Sequence, residues 1–217
     1  MPDSTRILVG RPVGYGFEHA DVGSYLGKLS QRASLDNSVT FEQCVVRSND
    51  IAEMRNAICL QALAGNYDYL LMIDPDIDAT QGSFLSSSLT YLKSLDHLAV
   101  VGAPYCGAPD GRVQVGWPRE GRFGRDAATT MGGIGKVSWI GTGLLLIPLP
   151  VLHAIATRPW FARRHLDANA SIVSETADVY FCRKCRESNV TVYCNWDHWA
   201  GHWQWMRLGK PGKDSLR

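Results

Sequence analysis

Residues 67 to 78 read Tyr-Asp-Tyr-Leu-Leu-Met-Ile-Asp-Pro-Asp-Ile-Asp. Within them, the continuous apolar run 69–73 ends at three carboxylates spaced two apart. An apolar run this short, without alternating polar residues, is typical of a strand covered on both faces. Asp74 and Asp76 are two residues apart, so in extended chain their side chains project to the same side. Carboxylates at such a strand end favour a divalent cation beside a phosphate group. A simple Asp-Pro turn is the alternative.

The hydrophobic pattern of the first half of the chain alternates between strands and helices. In chain order, it predicts strand 7–9, a glycine-rich loop at 10–16, helix 19–32, strand 39–46, a helix that begins after Asp50, strand 69–73, helix 84–95 and strand 98–101. Strands separated by helices of this length indicate βαβ units and parallel pairing. The predicted fold class is therefore α/β, with a mostly parallel central sheet flanked by helices.

The pattern changes after Gly102. Residues 103–136 are rich in Gly, Pro and Arg and have little periodicity, which predicts a long functional loop or a small hairpin. Regular structure is predicted to resume with strand 137–140, the turn Gly141-Thr142-Gly143, strand 144–147, a short helix 151–156, helix 176–188 and strand 190–193. No low-complexity linker interrupts the chain, so we expect a single domain over residues 1–217.

Composition narrows the classes of function. The chain has 217 residues, of which 45% are apolar and 20% charged, and a formal charge of +1, all ordinary values for a globular protein. The near-neutral charge does not favour non-specific binding to nucleic acid or to a membrane surface. No apolar run approaches the roughly 20 residues of a membrane span, and no apolar secretory segment follows Met1. We therefore expect a cytoplasmic protein whose six cysteines are free thiols.

Five short motifs occur one after another along the chain. Asp74-Pro75-Asp76 resembles the Asp-x-Asp motif of GT-A glycosyltransferases, and Arg55-Asn56 resembles the Arg-Asn pair that these enzymes carry one helix earlier. Segment 139–147 is similar to the Gly-x-Gly segment on the acceptor side. Segment 178–186 resembles the helix start Glu-Asp-x-x-Phe-Cys-x-Arg, and Gly201-His202 resembles a late Gly-His pair. The ordered set covers nearly the whole chain and resembles glycosyltransferase family two, particularly its small bacterial and viral members.

This resemblance implies a GT-A fold, which is a Rossmann-like architecture of nucleotide-diphospho-sugar transferases. It implies a nucleotide-binding half at residues 1–102 and an acceptor-binding half at residues 103–209, followed by a polar tail at 210–217. It also implies hexosyltransferase-like chemistry, in which a sugar moves from a UDP- or GDP-sugar to an acceptor hydroxyl, with inversion favoured over retention. The acceptor class stays open between a glycan, a lipid-linked sugar, a protein and a modified nucleic-acid base.

The donor site that the resemblance implies contains a divalent cation and a nucleotide. Asp74, Asp76 and His202 are the expected ligands of Mn²⁺ or Mg²⁺, which offsets the negative charge of the leaving diphosphate. Arg11 and Arg55 are the expected contacts to the nucleotide, together with the two aspartates. The spacing alone is equally compatible with Arg55 as a solvated residue on the surface of its helix.

An inverting transfer requires a general base that accepts the proton of the acceptor hydroxyl. Asp178 matches the aspartate of the resembled helix start, but Ala177 replaces the glutamate that usually precedes it. Glu175 is the nearest glutamate and is the second candidate for the base. Either carboxylate is also compatible with a purely electrostatic role at a helix N-terminus. The expected substrate-binding residues on the acceptor side are Trp139, Gly141, Thr142 and Gly143.

Other functions compete with this interpretation. Asp76-Ile-Asp78-Ala-Thr80 mimics the Asp-x-Asp-x-Thr motif of haloacid-dehalogenase-type phosphatases. A nucleotidyltransferase also uses carboxylate-bound Mg²⁺ beside a nucleotide, although residues 10–14 match its glycine-rich signature only loosely. A carbohydrate-binding module without catalysis is the non-enzymatic alternative.

Two further groups of residues have open interpretations. Cys182, Cys185, Cys194 and His198, with His202, have the ligand types of a structural zinc site, although their spacing matches no common zinc motif. The aromatic segment 196–205 is expected either to line a sugar or base pocket or to cover the core. Trp117 and Arg119 are a candidate lid in the long loop. A candidate basic patch consists of Arg119, Arg122, Arg125, Arg163 and Arg164.

Overall fold

The structure is a computed structural model that describes residues 4–14, 18–35, 38–79, 83–107, 113–116, 130–165, 173–203 and 207–208. Its helices are α1 (Ala20–Leu35), α2 (Ile51–Ala64), α3 (Phe84–Ser94), α4 (Leu149–Ala154) and α5 (Ala177–Glu187). Its strands are β1 (Thr5–Val13), β2 (Val39–Arg47), β3 (Tyr69–Ile73), β4 (Ile77–Asp78), β5 (Ala99–Gly102), β6 (Val115–Gly116), β7 (Ile134–Lys136), β8 (Trp139–Ile140), β9 (Leu144–Pro148), β10 (Arg164–His165), β11 (Val173–Glu175), β12 (Thr191–Asn195), β13 (Gly201–Trp203) and β14 (Arg207–Leu208).

A seven-stranded sheet in the order β2-β1-β3-β9-β5-β12-β7 forms the centre of the fold. β1 pairs in parallel with β2 and β3, and β5 pairs in parallel with β12. β9 is antiparallel between β3 and β5, and β7 is antiparallel beside β12. The predicted α/β class with a mostly parallel central sheet is therefore confirmed. The carboxyl ends of the parallel strands meet at one edge of the sheet, which is where open α/β sheets bind their ligands.

Helices cover both faces of this sheet. Along β3, Leu71 and Ile73 pack on the face covered by α1 and α3, whereas Leu70 and Met72 pack on the face covered by α2, α4 and α5. All four side chains are fully buried. Successive residues of a strand point to opposite faces, so a strand that is covered on both sides must be apolar at every position. This explains the uninterrupted hydrophobic run before the three aspartates.

Helix α2 is fixed by its N-cap and by a close contact with β1. Asp50 Oδ1 accepts hydrogen bonds from two backbone N–H groups in the first turn, at 2.7 and 3.3 Å, as its capping position predicts. Gly10 in β1 faces Ile58 so closely that a Cβ atom at Gly10 would collide with the Ile58 side chain. Glycine at this position therefore allows α2 to approach the sheet, and the approach determines where Arg55 lies.

Some predicted boundaries are wrong. The predicted loop at 10–16 is a strand as far as Val13, because β1 pairs with β2 along its whole length. The predicted strand 137–140 is shorter than expected: only its last two residues form β8, since Val137 and Ser138 connect β8 to β7. The helix predicted at 151–156 begins at Leu149, because proline is accommodated in the first turn of a helix.

The long segment 103–136 contains regular structure where the chain is described. β6 pairs with β8, and Cys106 forms an isolated bridge with Val113. Residues 108–112 and 117–129 lie outside the described residues, so the rest of the predicted loop stays a prediction. In the described ranges, no helix combines the length and the apolar character needed to cross a membrane.

Candidate functional site

The Asp-Pro-Asp turn at the end of β3 is held by three separate segments of the chain. Asp74 N donates to the carbonyl of Gly143 at 2.8 Å, which joins the turn to the start of β9. The carbonyls of the next two residues accept hydrogen bonds from His19 N, before α1, and from Trp203 N, in β13, each at 2.7 Å. The backbone of the turn is therefore fixed, and its two aspartate side chains have a defined orientation.

Arg55 lies at the centre of the site. Its Nη2 donates to both carboxylate oxygens of Asp74, at 3.0 and 2.7 Å, and its Nη1 donates to Asp178 Oδ1 at 2.7 Å. The residue is only 3% exposed, so the alternative of a solvated helix position is wrong. Its predicted contact with a nucleotide stays a prediction. In the protein alone, its guanidinium already binds two carboxylates.

Burial and charge together shift the pKa values of this cluster. Burial alone would lower the pKa of Arg55, but Asp74 and Asp178 outweigh that effect and raise the pKa above its ordinary value. Burial raises the pKa of Asp74 to about 6, with a contribution from Asp76 and Asp178 and opposition from Arg55. Arg55 therefore remains charged, whereas Asp74 is a carboxylate that a proton or a cation readily neutralises.

Asp178 has one oxygen fixed by the protein and one open. It lies in the first turn of α5, where Thr176 Oγ1 caps the helix by accepting from Val179 N at 3.5 Å. Asp178 Oδ1 accepts from Arg55 and, at 2.5 Å, from the hydroxyl of Thr142. Oδ2 has no hydrogen-bond partner among the described residues, and the side chain is 23% exposed. Oδ2 is thus available to a substrate hydroxyl.

Asp76 and His202 form a second polar pair at the same turn. His202 Nδ1 lies 2.9 Å from the carbonyl oxygen of Cys106, so Nδ1 carries the proton, since a carbonyl only accepts. His202 Nε2 lies 3.1 Å from Asp76 Oδ2, so an imidazole lone pair faces a carboxylate oxygen unless a proton or a cation lies between them. Burial opposes a charged imidazole, but Asp76 outweighs that effect and raises the pKa of His202. These donor atoms fit a divalent cation.

The number of available ligands separates two kinds of metal site. Within the ranges that the structure describes, no group of three or more His, Cys, Asp or Glu side chains is placed to hold a metal ion. A structural zinc site requires about four protein ligands, so the zinc alternative is wrong. Mg²⁺ and Mn²⁺ commonly take only one or two protein ligands, because phosphate oxygens and water supply the others. Asp76 and His202 can provide that share, while ligation by Asp74, which Arg55 holds, stays a prediction.

The cysteines of the rejected zinc site are core residues. Cys182, Cys185 and Cys194 are buried free thiols, and burial raises the pKa of each of them. A thiol must lose its proton to bind a metal, and burial in apolar surroundings opposes this. Cys182 instead donates weakly from Sγ to the carbonyl of Ile140 at 3.7 Å. This contact joins α5 to β8.

Two predicted site residues are paired with side chains outside the Arg55 cluster. Arg11 donates to Glu18 at 2.5 Å and to Gln43 at 3.2 Å. Glu175 accepts from Arg183 Nε at 2.9 Å. Of the two candidate carboxylates, only Asp178 contacts Arg55, and the role of either one as general base stays a prediction. The predicted contact between Arg11 and the nucleotide stays a prediction.

The Gly-Thr-Gly segment supports the site from within the protein. Thr142 is fully buried and holds Asp178, and Gly143 accepts the backbone bond from Asp74. Trp139, in β8, lies over Gly116, where a Cβ atom would collide with the indole. The predicted binding of substrate by this segment, including Gly141, stays a prediction.

Sequence patterns did not indicate two residues that border the site. Tyr105 follows β5 in the segment of low periodicity, and its ring meets that of His202 edge-on, with 5.3 Å between the ring centroids. His19 stacks on Trp203 with 4.0 Å between the ring centroids. Neither Tyr105 nor His19 belongs to a recognisable motif, so only the three-dimensional structure reveals their position.

The aromatic segment contributes to both the core and the site. Trp196 is 1% exposed and belongs to the core, whereas Trp203 donates from Nε1 to Asp21 Oδ2 at 2.8 Å beside the Asp-Pro-Asp turn. Arg163 and Arg164 are exposed. Thr80, Trp117, Arg119, Arg122, Arg125 and Trp205 lie outside the described residues, so the predictions that depend on them stay predictions.

Comparisons with known proteins identify the fold. No protein family and no curated protein sequence matches the chain. Among solved structures, A197 from STIV is similar over 98% of this chain and 97% of its own, with a TM-score of 0.63 and 18% sequence identity. CMP:2-keto-3-deoxy-manno-octonic acid synthetase complexed with CTP is similar over 88% of this chain and 89% of its own, with a TM-score of 0.47 and 10% identity. The first similarity shows a shared α/β fold, and the second is too low to support an argument.

Proposed function

We propose that this protein is a metal-dependent GT-A glycosyltransferase that transfers a sugar from a nucleotide-sugar to an acceptor hydroxyl with inversion. The bridge formed by Arg55 supports the proposal most strongly, because it joins Asp74 of the Asp-x-Asp motif to Asp178, the candidate base. In a sugar transfer, the leaving diphosphate and the attacking hydroxyl must lie on either side of one carbon atom. A single guanidinium that contacts both Asp74 and Asp178 holds the donor motif and the candidate base in one site, which supports this arrangement.

Each side chain has a distinct role in the proposed reaction. Asp76 and His202 hold a divalent cation with the donor diphosphate, and the bound cation supplies positive charge for the leaving group. Asp178 Oδ2 accepts the proton of the acceptor hydroxyl while the oxygen of that hydroxyl forms a bond to the anomeric carbon of the donor sugar. The bond between this carbon and the diphosphate breaks, and the nucleoside diphosphate leaves with the bonding electrons. Arg55 and Thr142 orient Asp178 by holding its Oδ1.

The burial of Asp78 counts against the phosphatase alternative. In that alternative, Asp76 is the nucleophile and Asp78 must also reach the substrate. Asp78 is 4% exposed and lies in β4, where its backbone pairs with Gly201. The third residue of the motif, Thr80, lies outside the described residues.

Ligand-dependent thermal stability tests the proposal. The protein is heated with UDP- and GDP-sugars in the presence and absence of Mn²⁺. We expect the midpoint temperature of unfolding to rise with one class of donor, and this rise to require Mn²⁺. The selected donor should then release its nucleoside diphosphate in an Mn²⁺-dependent reaction. Stabilisation without diphosphate release would instead indicate a binding module. Phosphate release from p-nitrophenyl phosphate or pyrophosphate release from a nucleoside triphosphate, without sugar transfer, would indicate a phosphatase or a nucleotidyltransferase.

A further inference from the structure

Tyr105 is held against the site by the glycines of the Gly-Thr-Gly turn. The residue is 6% exposed. A Cβ atom at Gly141 would collide with the Tyr105 hydroxyl, and a Cβ atom at Gly143 would lie 3.1 Å from Cε1 of the ring. Glycine at both positions therefore makes room for this ring. The residue between them, Thr142, holds Asp178, so three consecutive residues position both the phenol and the carboxylate.

The Tyr105 hydroxyl has no hydrogen-bond partner among the described residues, although its ring is almost completely buried. The Tyr25 hydroxyl is buried away from solvent without a partner, whereas the Tyr105 hydroxyl is not among the atoms buried in this way. A tyrosine buried in a core usually places its hydroxyl against a polar partner. The unused donor of Tyr105 is therefore open to the site.

The charges around Tyr105 indicate what kind of ligand it contacts. The phenol of Tyr105 is a neutral group that can donate one hydrogen bond. The cluster holds the carboxylates of Asp74, Asp76 and Asp178 against one permanent positive charge, that of Arg55. A divalent cation bound with the two negative charges of a donor diphosphate would leave this balance unchanged. Excess negative charge disfavours an anionic group on the acceptor. A neutral ligand rich in hydroxyls is compatible with it.

We propose that Tyr105 Oη and Asp178 Oδ2 bind two neighbouring hydroxyls of a neutral carbohydrate acceptor. This inference rests on the proposed glycosyltransferase function and specifies its acceptor class. Asp178 Oδ2 accepts a hydrogen bond from the hydroxyl that attacks the donor, and Tyr105 donates to the hydroxyl beside it. A carboxylate oxygen and a phenol donor that are both positioned by the Gly-Thr-Gly turn match a sugar diol, in which each hydroxyl both donates and accepts. Tyr105 is therefore a substrate-contacting residue that selects the acceptor.

Binding of methyl glycosides to Tyr105→Phe tests the proposal. The probes are the methyl α-glycosides of glucose, galactose and mannose, titrated by calorimetry in the presence of Mn²⁺ and UDP or GDP. The matched control is Tyr25→Phe, which removes a buried, unpartnered hydroxyl from the core. We expect at least one glycoside to bind the wild-type protein and Tyr105→Phe to weaken it about tenfold. Affinity for the nucleoside diphosphate should stay within about twofold in both variants, and Tyr25→Phe should bind the glycoside normally.

A second variant separates the hydroxyl's position from its presence. Gly141→Ala keeps the Tyr105 hydroxyl but displaces it, because the new Cβ would collide with it, so glycoside affinity should again fall. Unchanged glycoside affinity in Tyr105→Phe overturns the proposal. An equal loss of nucleotide affinity also overturns it, because Tyr105 would then contact the donor.

The acceptor class is tested with glucuronic acid and glucose 6-phosphate. Tighter binding of either anion than of every methyl glycoside, or no binding of any methyl glycoside to the wild-type protein, overturns the neutral-acceptor assignment. Failure of the glycosyltransferase proposal has a different signature, because the wild-type protein would then release no nucleoside diphosphate from any nucleotide-sugar, whatever its affinity for glycosides. The glycoside titrations of the two tyrosine variants measure binding and not sugar transfer, so the two proposals can fail separately.

Discussion

Arg55 and Asp178 are 123 residues apart in the chain, yet they form an ion pair with 2.7 Å between Nη1 and Oδ1. Arg55 lies in α2, in the half of the chain that carries the Asp-Pro-Asp turn, and Asp178 lies at the start of α5 in the other half. The guanidinium also holds Asp74, so one buried cation joins the donor motif to the candidate base. The two halves of the proposed site are thus one electrostatic unit.

Replacement of Arg55 by methionine is expected to destabilise the protein strongly. The change leaves Asp74 and Asp178 without their cation in a buried environment, which typically costs about 3–5 kcal/mol. Urea denaturation measures the free energy of unfolding. The control is Arg32→Met, at an exposed position in the last turn of α1, which should change that free energy by less than about 0.5 kcal/mol. Equal stability of both variants would show that Arg55 does not carry a buried ion pair.

Asp178→Asn is expected to reduce sugar transfer by about 10²–10⁴-fold, because the variant cannot accept the proton of the acceptor. The amide oxygen can still accept the bonds from Arg55 and Thr142, so nucleotide affinity should be preserved. Turnover and nucleotide binding are measured separately on the same preparation. Glu175→Gln should retain most of its activity, since Glu175 is paired with Arg183. The reverse result, with Glu175→Gln inactive, would transfer the role of base to Glu175.

Thr142→Val is expected to lower turnover about tenfold through a misplaced carboxylate. Valine has nearly the shape of threonine but lacks the hydroxyl that bonds Asp178 Oδ1 at 2.5 Å. Thr142→Ser retains the hydroxyl and should restore turnover. The loss should fall on kcat, with the donor KM within about twofold of the wild-type value, because Thr142 acts through Asp178. An equal loss of turnover in the serine variant would indicate a packing effect alone.

Cation-dependent nucleotide binding is expected to weaken as the pH falls through about 6. The pKa of Asp74 is raised to about 6, and that of His202 is also raised, so both groups gain protons in mildly acidic solution. Cation binding at this turn is expected to need a charged carboxylate and a neutral imidazole. We expect the affinity of Mn²⁺ with UDP or GDP to fall about tenfold between roughly pH 7.5 and 5.5.

The stability of the free protein should change with pH in the opposite sense. For Asp74, the folded protein binds a proton more tightly than the unfolded chain, so its contribution to stability falls as the pH rises from 3.8 to about 6. For His202, the stabilisation present below 6.5 is lost as the pH rises through its folded pKa. Calorimetric titration and urea denaturation at several pH values measure the two effects. Nucleotide affinity that is the same at both pH values would contradict the cation site.

Gly10→Ala is expected to destabilise the protein by about 1–3 kcal/mol, because the new Cβ collides with Ile58 and forces α2 away from β1. Gly23→Ala is the matched control, since a Cβ atom at Gly23 in α1 meets nothing within 4 Å. The control should gain about 0.5–1 kcal/mol, because alanine is a better helix former than glycine. Thermal unfolding of both variants measures the difference. Equal effects of the two changes would exclude a close approach at Gly10.

Local sequence patterns predicted the structure correctly where it depends on residues that are close together in the chain. Strand β3 has the predicted bounds, Tyr69–Ile73, because a strand covered on both faces is apolar at every position. Asp50 caps α2 as predicted, because the interaction involves only the next three residues. The end of β1 was not predicted, because Gly10 has no side chain to enter a hydrophobic pattern, and its role depends on Ile58 of a later helix.

The sequence by itself determined the α/β alternation, the position of the Asp-Pro-Asp turn and the candidate residues for its chemistry. Only the tertiary structure decided how those residues are paired. In the folded chain, Arg55 contacts Asp178, and Glu175 is paired with Arg183. His202 lies against Asp76, and Tyr105 lies beside the turn at Gly141. The physical reason is distance along the chain. Periodicity and caps act over a few residues, whereas these contacts join segments that meet only after the strands have ordered and the helices have packed on the sheet.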